Sequence, residues 1–292
     1  MKNSIYLIFI LALVSSCQKT IEFDGEVKDP KLVVNSIFNT EDTLRVHISN
    51  SLSLVDGASL RFIKNATVKL YNENDVLVST PLHTQNGYYM DETFQFEENK
   101  QYRVEVERDG FNTINATDNV PKTVEVENVE VIELSDPNNE GEILITVDFE
   151  DPSGDNYYMV EVRMEYYYKW DSFEYSGWET GWLTTVDPNV DGNNGTGTYG
   201  NNRIILDDDN FDGKNYKLRF NTSKYILDGD YRRVELKFYS LSQSTYNYFT
   251  SVERYQNVQG NPFATPVQVF SNVENGFGIF GGSSIFTYSL KE

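Results

Sequence analysis

The sequence predicts an all-β protein: two packed β-sandwiches with one short helix near the C-terminus. Three observations carry this expectation. Apolar and polar residues alternate in short runs along most of the chain. Tyr (20) and Phe (18) are abundant beside many Val, Thr and Asn. Asn, Asp and Gly clusters punctuate the runs. Residues of these kinds suit a pleated surface that is buried on one side, with turns between strands.

The first segment is not part of that fold. Lys2, an apolar run from Ile5 to Val14 and the small pair Ser15-Ser16 precede Cys17, the only cysteine. This order reads as a bacterial lipoprotein signal peptide over residues 1–16. The run is shorter than the ~20 apolar residues that a transmembrane helix needs. Lipidation is expected at Cys17, which removes its thiol from any catalytic or disulfide role. Removing residues 1–16 from the 292 leaves 276, and with Lys2 gone the formal charge moves from -21 to -22. Nucleic acid and anionic membrane surfaces repel such a polyanion. No nucleic-acid partner is expected, and attachment falls to a diacylglycerol anchor. Residues 17–30 are polar and acidic and read as a tether. Glu22, Asp24 and Glu26 resemble, loosely, the acidic export signal that follows the lipidated cysteine in some bacteria. They favour the cell-surface face of the outer membrane over the periplasmic one without deciding between them.

Residues 31–121 form the first expected sandwich. Leu44, Val46 and Ile48 alternate with Arg45 and His47. Val68 and Leu70 repeat the pattern, as do Tyr102, Val104 and Val106 against Arg103, Glu105 and Glu107. Period-two alternation marks strands with one buried face. Asn72-Glu73-Asn74-Asp75, Asn86-Gly87 and Asp109-Gly110 supply turns. The domain is expected to close near Pro121.

Residues 122–292 form the second. Ile143, Ile145, Val147 and Phe149 alternate, then Tyr158, Val160, Val162 and Met164, and later Tyr216, Leu218 and Phe220, and Val234, Leu236 and Phe238. The Gly/Asn-rich stretch from Asp187 to Asn202 reads as a long exposed loop. Tyr248, Phe249, Val252 and Tyr255 fall at helical spacing, which predicts a helix over 245–256. Ser242 or Ser244 can cap it, and Gly260-Asn261-Pro262 stops it. Gly278 to Gly282 reads as a tight turn before a last strand from Ile285 to Leu290.

The candidate chemistry is sparse. No Gly-x-Ser-x-Gly elbow and no Ser/Lys motif is present. The glycines at 278–282 are not followed by Lys-Ser/Thr and a helix, so they form no phosphate loop. His47 and His83 lie far apart, so a zinc site is not expected. Asp208-x-Asn210-x-Asp212-Gly213 and Asp187-x-Asn189-x-Asp191-Gly192 match the opening of a calcium loop, but Arg219 and Thr198 stand where the closing Glu belongs. Calcium at Asp208, Asn210 and Asp212 is therefore a weak candidate, and no cofactor is expected. The strongest candidate is aromatic: Trp170, Trp178 and Trp182 are the only tryptophans, with Tyr166, Tyr167, Tyr168, Phe173 and Tyr175 around them. On an alternating strand Tyr166, Tyr168 and Trp170 share one face. Two readings stay open: exposed rings that hold a ligand or protein partner, or cross-strand pairs that cover each other.

Several segments resemble a known family. Lipobox aside, these are Lys31-Leu-Val-Val-Asn35, Asn65-Ala-Thr-Val-Lys-Leu-Tyr71, Asp209-Asn-Phe-Asp-Gly213, Tyr246-Asn-Tyr-Phe249 and above all Pro266 to Gly281. They are similar to Bacteroidota lipoproteins catalogued as domain of unknown function 4249. The first domain resembles the prealbumin-like sandwich common in that setting, and an Ig-like architecture suits both. Members are typically encoded beside TonB-dependent outer-membrane receptors, so the resemblance implies such a receptor as partner. It supplies no catalytic residues. The expected role is that of a non-enzymatic accessory protein in ligand capture or gating. The alternative is a stand-alone surface glycan-binding or adhesion module.

Overall fold

A computed structural model describes residues 29–52, 59–134, 141–170, 173–190, 199–261 and 263–291. The signal peptide, Cys17 and nearly all of the tether lie outside the described residues, as does 191–198 of the Asp187–Asn202 loop. Residues 31–51 and 60–291 belong to one body. Of the segments 1–30 and 52–59, only Asp29, Pro30, Leu52 and Ser59 are described, and all four are exposed coil.

Eighteen strands and two helices are described. The first eight are β1 (Leu32–Phe38), β2 (Thr43–Asn50), β3 (Thr67–Asn72), β4 (Leu77–Ser79), β5 (Leu82–His83), β6 (Tyr88–Gln95), β7 (Gln101–Glu107) and β8 (Ile114–Asn119). Alternation places them as expected. Tyr102, Val104 and Val106 on β7 are buried, while Arg103, Glu105 and Glu107 form a ladder with Lys69 and Asp75 on the outer face. Each large side chain buried this way contributes roughly 1.5–3 kcal/mol, whereas exposed ion pairs contribute little. Asn86 and Gly87 both adopt positive φ (49° and 78°) in the turn between β5 and β6, as a two-residue hairpin turn demands.

The chain continues with β9 (Val126–Glu133), β10 (Glu142–Glu150), β11 (Tyr157–Trp170), β12 (Phe173–Thr180), β13 (Leu183–Thr185), β14 (Tyr199–Asn201), β15 (Ile204–Asp207) and β16 (Asn215–Ser223). It ends with α1 (Tyr225–Asp228), β17 (Tyr231–Leu241), α2 (Gln243–Val258) and β18 (Phe277–Lys291). Three sheets result. A nine-stranded sheet runs β12-β11-β17-β18-β1-β2-β6-β5, with β15 also paired to β11. A five-stranded sheet runs β14-β13-β16-β10-β9, and a four-stranded one β4-β3-β7-β8. The four-stranded sheet and the β1-β2-β6 end of the long sheet enclose one core, which includes Leu44, Leu70, Val104 and Phe280. The five-stranded sheet and the β11-β17 end enclose another, which includes Ile145, Val162, Phe220 and Phe238. Val120 belongs to the first core and Val124 to the second.

Several expectations are corrected. Asp187–Asn202 is not an exposed loop throughout: Val190 is buried and bridged to Leu206, and Tyr199–Asn201 forms β14. The last strand begins at Phe277, not at Ile285, because the glycines lie within it. Residues 277–282 pair in parallel with Val33–Phe38 of β1, and residues 283–291 pair antiparallel with β17. β18 thus carries one sheet past both cores. The helix α2 is two residues longer at each end than expected, with Ser242 as its cap: the Ser242 hydroxyl accepts from Thr245 N–H at 3.1 Å. Its buried side also differs from the predicted stripe. Thr245, Tyr246 and Thr250 are buried, Tyr246 joins a third cluster with Met159, Ile205 and Tyr239, and Tyr255 is exposed.

Asp118 fastens the junction. At the end of β8 it is buried, and its Oδ2 accepts from the Ser242 hydroxyl and from Gly282 N–H (2.8 Å), so one carboxylate ties β8 to the start of α2 and to β18. Burial raises the Asp118 carboxyl above the usual range, against these hydrogen bonds. Asp118→Ala leaves the buried Gly282 N–H without its acceptor and the Ser242 hydroxyl with only Thr245 Oγ1 at 3.0 Å, and is expected to cost about 2 kcal/mol in urea unfolding. In Asp118→Asn a single amide oxygen can still accept both, so the loss should be well under half of that.

Candidate functional site

The aromatic residues of the sequence come together on the β11–β12 hairpin. β11 is long because its inner side stays apolar: Tyr158, Val160, Val162 and Met164 enter the core. Tyr166, Tyr168 and Trp170 continue the same pleat beyond it. The register pairs Tyr166 with Gly177, Tyr168 with Tyr175 and Trp170 with Phe173, so Phe173 and Tyr175 join that face. Gly177 opposite Tyr166 leaves room for the ring, because an added Cβ would collide with it. Tyr166 packs against Tyr168 and Tyr175 with centroids 5.7 and 5.6 Å apart. Toward the tip the rings are open to solvent: Tyr168 is 59% exposed, Tyr175 65%, and Trp170 and Phe173 83% each.

The three tryptophans have different surroundings. Trp170 stands at the tip. Trp178, on the other face, is half-buried between the guanidinium groups of Arg163 and Arg233, at 5.4 and 5.1 Å from its ring. Arg233 in turn donates to Glu165 at 2.7 Å, which holds that carboxyl below its ordinary range. Trp182 lies beyond β12, 62% exposed and set over Gly200. The five predicted residues therefore divide. Tyr166, Tyr168 and Trp170 share a surface, whereas Trp178 and Trp182 do not belong to it. Tyr231 on β17, opposite Tyr166, extends the ring surface toward Tyr225 (centroids 5.8 Å apart). Sequence spacing could not place it, since a one-residue register shift in β17 intervenes.

The acidic residues form a second cluster. Asp208 and Asp212 meet Asp151, with carboxylate oxygens of all three within 4.8 Å of one another. Asn210 turns aside and donates to Asn189 at 2.8 Å. Each carboxylate already accepts backbone N–H groups across two loops: Asp151 from Gly213 (2.8 Å), Asp212 from Gly154 (2.9 Å) and Asp208 from Asn156 (3.0 Å). The Tyr158 hydroxyl also donates to Asp151. These contacts make the cluster a tie between the turns before β11 and before β16. Calcium takes 6–8 oxygens, and three carboxylates engaged in this way offer few. Calorimetric titration of chelator-stripped protein with millimolar calcium is expected to give no heat. A saturable heat that Asp212→Ala abolishes would make the cluster a cation site.

Burial raises Asp151, and the charges of Asp208 and Asp212 raise it further. Among the described residues, Asp118 and Asp151 are two carboxyls whose folded pKa exceeds the unfolded value near 3.9. For such a group the folded state binds the proton more tightly, so stability falls as pH rises through the window between the two values. Glu73, Asp91, Glu105 and Glu165 are lowered by their hydrogen bonds and ion pairs, and their contribution is lost only below the ordinary carboxylate range. The expected result is a melting temperature that rises as pH is lowered from 8 toward that range and falls beneath it. The rise should shrink in Asp118→Asn.

Fold and site together define an all-β chain whose long hairpin carries exposed rings past the edge of its core. The chain belongs to the family described as domain of unknown function (DUF4249), whose profile matches residues 18–289. Among solved structures, a crystal structure of a DUF3823 family protein from Parabacteroides merdae is similar over 73% of this chain and 91% of that one, at 10% sequence identity and a TM-score of 0.19. No curated protein matches.

Proposed function

We propose that the protein is a lipid-anchored accessory protein of the outer membrane that assists a TonB-dependent transporter by binding, in ligand capture or gating. The observation that carries the binding role is the solvent-exposed ring surface of Tyr168, Trp170, Phe173 and Tyr175. Large planar side chains gain most when a partner covers them, and aromatic residues dominate contact energies in protein interfaces. The transporter as partner follows from the family resemblance, and the anchor from the lipobox ending at Cys17. The reading is of a binding protein rather than an enzyme: neither ring surface nor acidic tie presents a nucleophile beside a base.

Co-purification from detergent-solubilised outer membranes tests this. A stoichiometric β-barrel of the TonB-dependent class is expected with the acylated chain, and Cys17→Ala should release the protein from the membrane. A second reading, a stand-alone glycan-binding module, draws on the same rings, which suit stacking on sugar faces. It gains if no barrel accompanies the protein and glycans bind it.

A further inference from the structure

We propose that β12 takes up an extended segment of a foreign polypeptide as an additional strand of the nine-stranded sheet. This rests on the hairpin being the contact surface and adds which kind of partner fits it. Gly181 N–H donates to the Val162 carbonyl at 2.8 Å, which makes Arg163 and Thr180 a non-hydrogen-bonded pair of the antiparallel ladder. The register runs unbroken to Trp170–Phe173. Glu165–Trp178, Tyr167–Ser176 and Lys169–Glu174 are therefore of the same kind. The backbone N–H and C=O groups of Glu174, Ser176, Trp178 and Thr180 consequently point away from β11. Among the described residues no strand pairs with that side.

Sheet edges left open in this way are templates for another strand, and natural proteins usually blunt them with short length, charge, proline or a bulge. The other edges here follow that rule. β4, β5 and β14 have two or three residues each, β15 has four and is bridged at Leu206 by Val190, and β9 carries Glu127, Glu130 and Glu133. β8 is bridged at Asn115 by Glu274. β12 has eight residues, no proline, no lysine and no bulge. Its two acids are engaged, Glu174 with Lys169 at 2.7 Å and Glu179 with the Tyr231 hydroxyl. An added strand would lie about 4.8 Å away. Phe173 and Tyr175 would then flank its side chains on one face and Trp178 on the other. A second copy of this chain is the poorer occupant, because two mature chains of formal charge -22 (the -21 of the full sequence less Lys2) repel each other. Main-chain bonds give affinity in this mode of recognition, and flanking pockets give specificity.

The test pans the full mature chain against a phage-displayed library of random peptides and measures amide exchange with the peptides it enriches. Slowed exchange is expected at the alternate amides of Glu174, Ser176, Trp178 and Thr180. Tyr175 and Gly177, already bonded to β11, should not change. Ser176→Pro removes one outward donor from an edge position that tolerates proline and should weaken peptide binding at least tenfold, while Ser176→Ala binds like the parent. Failure to enrich any peptide over the Ser176→Pro chain overturns the proposal. So does binding without alternate protection. If Ser176→Pro impairs folding, the exchange pattern in the parent chain decides. Peptides that need Trp170 and Phe173 but give no alternate protection would end strand addition while leaving ring-mediated docking intact.

Discussion

Gly278→Ala is expected to destabilise the fold by on the order of 4 kcal/mol, since its added Cβ meets the shortest contact of any described glycine. Gly278 has φ +107°, a conformation that side-chain-bearing residues rarely adopt. An added Cβ would also fall on the Val34 carbonyl oxygen, backbone that cannot swing aside. Strained dihedrals cost ~1–3 kcal/mol and overpacking a further ~1–3. The site matters because Gly278 pairs with Val34 in the parallel β1–β18 ladder, the contact by which the C-terminal strand joins the first core. Urea unfolding should show a lower midpoint. Gly110, with nothing within 4 Å of an added Cβ though φ is +81°, is the control: Gly110→Ala should cost only ~1–3 kcal/mol, the dihedral contribution alone.

Replacing both Trp170 and Phe173 by alanine should leave the melting temperature nearly unchanged and weaken partner capture by 10- to 100-fold. The two residues face each other in register across the hairpin tip, and each is 83% exposed. They bury too little in the free protein for their loss to affect folding, since surface substitutions usually fall within ~0.5 kcal/mol. If a partner covers them, their truncation removes interface hot spots, for which ~1.4–2.7 kcal/mol corresponds to that range of affinity. Trp178→Ala is a useful contrast. It removes the ring between Arg163 and Arg233 and should lower stability measurably, by about 1 kcal/mol. An equal loss of cooperative melting in the Trp170/Phe173 variant would mean that those rings are structural.

Much of the strand content was legible because one-sided burial writes itself into alternation. Tyr102, Val104 and Val106 could be read as buried without any knowledge of what covers them. The continuous sheet was not legible. The pairing of Val33 with Phe277 joins opposite ends of the chain in parallel, and no local pattern records such a partner. Gly278 to Gly282 looked like a turn because glycine permits turns. Here it serves close approach, to the Val34 carbonyl at Gly278 and to the Asn119 carbonyl at Gly282. The helix stripe was legible only in part for a related reason: the surface that α2 meets includes Met159, Ile205 and Tyr239, and it takes up Tyr246 beside Phe249 while Tyr255 stays exposed.

The candidate sites divide in the same way. Parity alone placed Tyr166, Tyr168 and Trp170 together. That the exposed face would be the continuation of the core face depends on where the inner packing ends, which is a tertiary fact. Asp208 and Asp212 followed from spacing, whereas Asp151 joins them from another loop and carries no motif of its own.

The most direct measurement is photo-cross-linking in intact cells from a reactive amino acid placed at position 170 of the acylated chain, with a second placed at Glu130 on the outer edge strand β9. The account predicts a single strong adduct from position 170, to a TonB-dependent barrel, and none from position 130. Adducts of equal strength from both positions, or none from 170 while the protein is membrane-bound, would contradict it.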